Sequence, residues 1–216
     1  MNPFQRRDDI ANDVIHFTKG DSPAEAFAVI AHIVAERRLL GGTGYIKGNY
    51  TCVCFTEAPL AHLMDVFART AVERIRYMPF GILIPKKWLF DRGGRPVIYQ
   101  PEAEFTELPE TLRYRYVRYE PTGTPPIDFS WEREWRVRTK ELILDPTVAS
   151  IVLPSQEYLD ELMRQHESAQ DREVQLHSLV LGELLAEQMR EPFLWNSYLL
   201  EPPELPQYKR PVARAV

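Results

Sequence analysis

Apolar and polar positions recur along the chain with two periods, and the switches between them outline its elements. "VIHFT", Val14 to Thr18, reads as a short strand closed by Lys19-Gly20. After Ser22 the period lengthens, with Ala26, Phe27, Ile30, Ile33 and Val34 at helical spacing. Ser22 suits the cap of this helix, Pro23 its first position, and Glu25, three residues on, completes a capping box. Gly41-Gly42 predict its end. A glycine-bearing loop leads to a predicted strand over Cys52–Thr56, and Pro59 opens a second helix over 60–77 with Leu63, Val66, Phe67 and Ile75 apolar.

Strands are predicted over Gly81–Pro85 and Pro96–Gln100 around a turn, and "TLRYRYVRYEP" alternates as an extended segment. The strictest alternation is "DFSWEREWRVRTK", 128–140. It sets Trp131, Arg133, Trp135 and Val137 on one face and Glu132, Glu134, Arg136 and Arg138 on the other. "VASIVLPS" gives a further strand after the Asp145-Pro146 turn. From Gln156 to Met189 the pattern is helical, and the polar stretch "RQHESAQDREVQ" predicts two helices about an exposed turn. The proline-rich end, 191–216, reads as a segment that wraps the surface or frays. This order predicts an α+β fold, a mixed or antiparallel central sheet with flanking helices, over 1–155, and a helical extension over 156–216.

Composition narrows the function classes. With 44% apolar and 26% charged residues, and no uninterrupted run of about 18–20 apolar residues, the chain has a globular balance without a membrane span. "MNPFQRRDDIANDV" is not followed by the apolar core of a signal peptide, so a cytoplasmic location is expected. A net charge of −5 argues against broad polyanion binding, while the arginine-rich stretch from Arg113 to Arg138 leaves room for a local anion site. Cys52 and Cys54 share a strand face, too close in sequence to close a useful loop, and read as reduced, buried small residues. No ligand set at metal-binding spacing surrounds them, and no metal is expected.

Chemistry concentrates in a few places. His16 and Thr18 point the same way from an otherwise apolar strand and need partners if buried. Their plain alternative is satisfaction by backbone. Arg95 follows two glycines, where a bound anion meets least obstruction, and Tyr99 follows at the end of the same strand, to pack or to face a site. Glu132 and Glu134, two apart on a strand, have β-carbons about 7 Å apart. Repulsion between them raises the pKa of one. Such a pair can orient a sugar hydroxyl, stabilise an oxocarbenium-like centre or activate a nucleophile, or it can salt-bridge to Arg136 and Arg138. A metal-nuclease reading through Asp128 and Glu134 fails at position 136, where arginine cannot act as general base. Phosphate-loop, dinucleotide-fold, zincin and serine-hydrolase motifs are absent from the sequence.

"VIHFT", a helix ending in "ERRLLGG", a following strand and a late strand carrying "EREWRV" together resemble the ADP-ribosyltransferase-like fold, most nearly the DarT-type DNA-targeting toxins. His16 and Thr18 match the H-x-T element and Glu134 the late glutamate; Glu132-x-Glu134 is similar to the ExE pair of arginine-directed transferases. "CVCFTEAPL", "PFGILIPKKWLF" and "GGRPVIY" resemble the central segments of AbiGi-like abortive-infection proteins. The resemblance spans about 14–155. It implies a split central sheet with NAD, as substrate, bound in a cleft. His16 and Thr18 would hold the nicotinamide ribose or amide, and Tyr45 or Tyr99 would stack on the ring. Glu134 would stabilise the oxocarbenium and help deprotonate the acceptor. "GYIKGNY" lacks the basic character of the DNA-contacting loop, which leaves nucleic acid, protein or water as acceptor. The expectation is an NAD-dependent ADP-ribosyltransferase or NAD glycohydrolase acting in phage defence or as a toxin. The alternative is a non-catalytic regulatory module of a toxin–antitoxin system that docks a protein partner through its C-terminal arm.

Overall fold

The computed structural model describes residues 11–59 and 77–200. In chain order the elements are β1 (Asp13–Lys19), α1 (Pro23–Glu36), β2 (Arg38–Leu40), β3 (Cys52–Thr56), β4 (Tyr77–Pro85), α2 (Lys86–Asp91), β5 (Arg95–Pro96), β6 (Ile98–Gln100) and β7 (Tyr116–Arg118). They continue with β8 (Glu134–Arg138), β9 (Glu141–Ile143), β10 (Ser150–Leu153), α3 (Gln156–Leu181), α4 (Glu183–Gln188) and β11 (Asn196–Leu199). The fold is α+β. Its central seven-stranded sheet has the order β11-β10-β4-β1-β3-β8-β5, antiparallel except where β11 runs parallel to β10.

Apolar patterning explains the layers. Ala26, Ile30, Ile33 and Val34 of α1 bury against Val14, Phe80, Ile82 and Ile84, and Tyr158 and Leu162 of α3 join them. Phe80 is fully buried with the Tyr158 ring edge-on at 4.8 Å. Ile15, Phe17, Val152 and Leu200 cover the opposite face of the same strands. The strands through the middle are therefore apolar on both sides, and polar side chains there must be held or must face an opening.

The opening lies between β1 and β3. β1 follows β4 over most of its length, from Asp13↔Pro85 to Lys19↔Tyr77, but meets β3 only at Ile15↔Thr56. Beyond that point the sheet parts. A bulge between Phe17 and Lys19 turns Thr18 inward and brings Lys19 beside Tyr77. Gly81 allows the close pairing that precedes it, since a β-carbon there would stand 2.6 Å from the His16 carbonyl.

Several predicted boundaries shift. The Ser22 hydroxyl accepts from the Glu25 N–H as expected, while the Glu25 carboxylate accepts from Asp21, one residue before the cap. α1 stops at Glu36 rather than at Gly41-Gly42: Arg37 adopts a left-handed conformation, φ 51°, and the chain reverses into β2, which pairs with β9. Gly41 serves a close approach instead, because a β-carbon would stand 2.1 Å from the Thr139 carbonyl. α2 replaces the plain turn expected between β4 and β5. "TLRYR" is a 3₁₀ turn, Glu110–Arg115, and only Tyr116–Arg118 of that segment is a strand. α3 runs unbroken through "RQHESAQDREVQ" and ends at Gly182, φ 81°, because a polar stretch on a helix is compatible with a solvated face. The predicted 60–77 helix lies outside the described residues except at Tyr77, which opens β4. Of the proline-rich end, 196–199 form β11 and 201–216 lie outside the described residues. No helix among the described residues is long and apolar enough to cross a membrane.

Candidate functional site

Alternation breaks within 128–140, the segment where the pattern is strictest. Ser130–Glu132 is a 3₁₀ turn, and Arg133 is left-handed with φ 44°. β8 begins only at Glu134, so Glu132 is not its strand neighbour. The kink nevertheless leaves both carboxylates lining the same opening. The Thr56 hydroxyl fixes the turn by donating to the Glu132 carbonyl at 2.5 Å.

The parted strands form a cleft of about 730 Å³. A small, mostly apolar recess of about 110 Å³ adjoins it, bounded by Phe17, Phe55, Tyr77 and Trp131. His16, Lys19, Cys54, Glu132 and Glu134 border both. A hollow of about 860 Å³ between α1, α3 and residues 191–195 is larger. There Arg37 pairs with Glu191, and His166 donates to the Glu191 carbonyl.

Each acid in the cleft has a distinct setting. Glu134 stands opposite Thr56 in the β3–β8 ladder, and its two oxygens accept from Arg136 Nε at 2.8 Å and Nη2 at 2.9 Å. Arg136 is in turn fixed by the carbonyls of Tyr114 and Tyr116, each 2.9 Å from Nη1. Glu132 has no such fork. Burial, with the Glu134 charge adding to it, pushes its carboxyl up to about 7, while Lys19 and Arg136 pull the other way. Near neutral pH Glu132 therefore exchanges a proton beside a carboxylate clamped by a guanidinium.

His16 Nδ1 lies 2.8 Å from the Cys54 carbonyl. A carbonyl only accepts, so Nδ1 carries the proton. Burial lowers the imidazole's pKa and favours the neutral ring, which leaves Nε2 as a hydrogen-bond acceptor. Burial and the Glu134 charge push the Cys54 thiol well above its ordinary range, so it is no nucleophile. Burial likewise raises Tyr77.

The other predicted residues divide. Tyr45 borders the cleft with its side chain exposed. Thr18 is buried, its hydroxyl shared between the carbonyls of Ala26 and Phe80, 3.3 and 3.2 Å away. Arg95 stacks on Phe90 and donates to the carbonyls of Phe90 and Gly94. The Tyr99 hydroxyl donates to the Phe129 carbonyl and accepts from the Glu134 N–H at 3.4 Å, which buttresses the backbone of that residue. Lys19, Tyr77 and Trp131 enter the site without having been singled out. Their only sequence signal is adjacency, Lys19 to "HFT" and Trp131 to Glu132. Among the described residues no group of three His, Cys, Asp or Glu side chains could hold a metal ion.

Glu132 gives a stability prediction independent of any activity. A carboxyl raised from 4.5 to about 7 holds its proton more tightly folded than unfolded. The unfolded chain releases it first, so stability falls as pH rises from about 4.5 to about 7. Glu132→Gln removes this slope. Urea unfolding at pH 8 should find the variant more stable by about 1–2 kcal/mol, discounted for the residue's partial exposure.

No protein-family model, no curated protein and no solved structure matches the chain.

Proposed function

We propose that the chain has an ADP-ribosyltransferase-like fold and consumes NAD, as an ADP-ribosyltransferase or NAD glycohydrolase, in the role of a phage-defence or toxin-type effector. One observation carries this reading: His16, Glu132 and Glu134 gather at one cleft where β1 and β3 part. Two carboxylates of unlike environment suit a reaction that needs a fixed negative charge and a proton acceptor together.

In this reaction the bond between ribose C1′ and the nicotinamide nitrogen breaks, and its electron pair leaves with nicotinamide. Positive charge develops on the ribose, and Glu134 stabilises it. An acceptor or water bonds to C1′, and its proton passes to Glu132, whose pKa of about 7 suits a general base. The recess between Phe17, Phe55, Tyr77 and Trp131 takes the flat ring, with Tyr45 at the wider cleft. His16 Nε2 accepts from a ribose hydroxyl or the amide. Thr18 and Tyr99 support the site through the bonds they already make, while Arg95 is held by Phe90 and Gly94 outside it.

A second reading, a non-catalytic regulatory module, is favoured by the Arg136 fork, which occupies both oxygens of Glu134. Nicotinamide release by the purified full chain, with DNA, RNA or neither, separates the two. The enzyme reading expects release that rises through pH of about 7 as Glu132 loses its proton, and a Glu132→Gln variant without that rise. Absence of release at every pH and with either nucleic acid would leave the module.

A further inference from the structure

The sequence alternates through 131–138, yet β8 begins only at Glu134, and the cause stands on the facing strand. Thr56 is where three strands meet. It pairs with Ile15 of β1 at their one point of contact and with Glu134 of β8. One residue further, the β3–β8 ladder is half made. The Glu57 N–H donates to the Arg133 carbonyl at 3.1 Å, while the Arg133 N–H turns back to the Ser130 carbonyl at 3.2 Å. One residue further again, the Thr56 hydroxyl has replaced the ladder. It accepts from the Ala58 N–H at 3.1 Å and donates to the Glu132 carbonyl at 2.5 Å. A threonine hydroxyl that bonds nearby backbone offers it an alternative to the sheet. Here it closes both strand ends at once, and it holds the 3₁₀ turn against the cost of a left-handed Arg133, φ 44°.

We infer that Thr56 is the positioning residue of the acid pair: its hydroxyl ends β8 at Glu134 and so presents Glu132 to the recess from a turn rather than from the strand. Continued as a strand, 132–134 would set the two carboxylates side by side on one face. The turn instead gives them unlike surroundings. Glu134 keeps the Arg136 fork, and Glu132 enters the mostly apolar recess without one. Among the described residues, the ionisable groups bordering the recess with Glu132 are His16 and Lys19 of β1, Cys54 of β3, Tyr77 of β4 and Glu134 of β8. Arg136 acts on Glu132 from its place on Glu134. Calling Thr56 a positioning residue of NAD cleavage rests on the proposed reaction; its hold on Glu132 does not.

The test is a titration of the full chain by NMR with labelled glutamate carboxyls, the Glu132 signal being assigned by its loss in Glu132→Gln. In wild type this carboxyl should titrate at about 7. Thr56→Val removes the hydroxyl and keeps the branched shape. The loosened turn admits water to Glu132, and its midpoint should fall by about one pH unit or more toward the ordinary glutamate range. Thr56→Ser keeps the donor and should keep the wild-type midpoint. Thr56→Ala is the second variant should Thr56→Val not fold, and its midpoint should fall in the same direction. A wild-type midpoint in the ordinary range overturns the proposal. So does an unmoved midpoint in the chains lacking the hydroxyl, or a Thr56→Ser chain that shifts as far as they do. Nicotinamide release from the same proteins tests the reaction separately, since its rise with pH should move with the midpoint. Release absent from wild type overturns the reaction, and the titration still decides the role of Thr56.

Discussion

An Arg136→Met variant is expected to lose about 3–5 kcal/mol of stability, because it leaves a buried carboxylate without its counter-charge. The Arg136 side chain is 7% exposed and that of Glu134 15%. Methionine keeps much of the volume, so the loss reports the missing bonds rather than a cavity. Four are removed: two to Glu134 and one each to the carbonyls of Tyr114 and Tyr116. Restoring neutrality with Glu134→Gln in the same chain should recover part of the loss, since removing both charges costs less than removing one. Urea unfolding of wild type, single and double variants near neutral pH measures this. A single variant within about 1 kcal/mol of wild type would mean that the fork does not hold Glu134.

The second large effect concerns activity. Under the proposed reaction, Glu134→Gln should lower nicotinamide release by about 10²–10³-fold, the usual loss when a group aimed at transition-state charge is removed. The amide keeps the shape and one acceptor for Arg136, so the variant should remain folded and its melting should be measured beside the rate. Glu134 and Glu132 should then differ in kind. Glu134→Gln lowers the rate at all pH values, whereas Glu132→Gln abolishes the rise near pH 7. A Glu134→Gln protein that released nicotinamide as fast as wild type would remove Glu134 from the chemistry. The reaction would then have to be sought elsewhere in the cleft.

The clamp on Glu134 bears on both readings. A guanidinium that takes both oxygens reduces the net charge available to an oxocarbenium, but a carboxylate has further lone pairs. The clamp also fixes the carboxylate's orientation. The Cys54 thiol and the N–H of Glu134, which donates to Tyr99, add to that rigidity. Rigid charge is what electrostatic stabilisation requires, whereas a purely structural ion pair would serve equally well without a neighbouring carboxyl raised to about 7.

The sequence by itself determined the local elements whose cause is local. Ser22 and Pro23 start α1 because capping is a matter of a few adjacent atoms, and Cys52–Thr56 and Ser150–Leu153 are strands because their apolar residues suit burial in a sheet. That the two acids of "EREWR" lie near each other was also legible, since carboxylates so close in sequence cannot be far apart in space. Only the tertiary structure decided how they meet. The left-handed Arg133 breaks the alternation, so Glu132 reaches the cleft from a turn rather than a strand. The pairing of β3 with β8 brings Cys54 opposite Arg136, and the single contact of β1 with β3 opens the space that His16 faces. Long-range strand pairing also decided which polar side chains were already committed. Thr18 looks available in sequence, but its hydroxyl is taken by the carbonyl of Phe80, 62 residues on. The end of α1 at Glu36 has the same origin. Helical periodicity alone would carry the helix to the glycines, but Arg38–Leu40 gain a partner strand in Glu141–Ile143, about a hundred residues on, which local pattern does not encode.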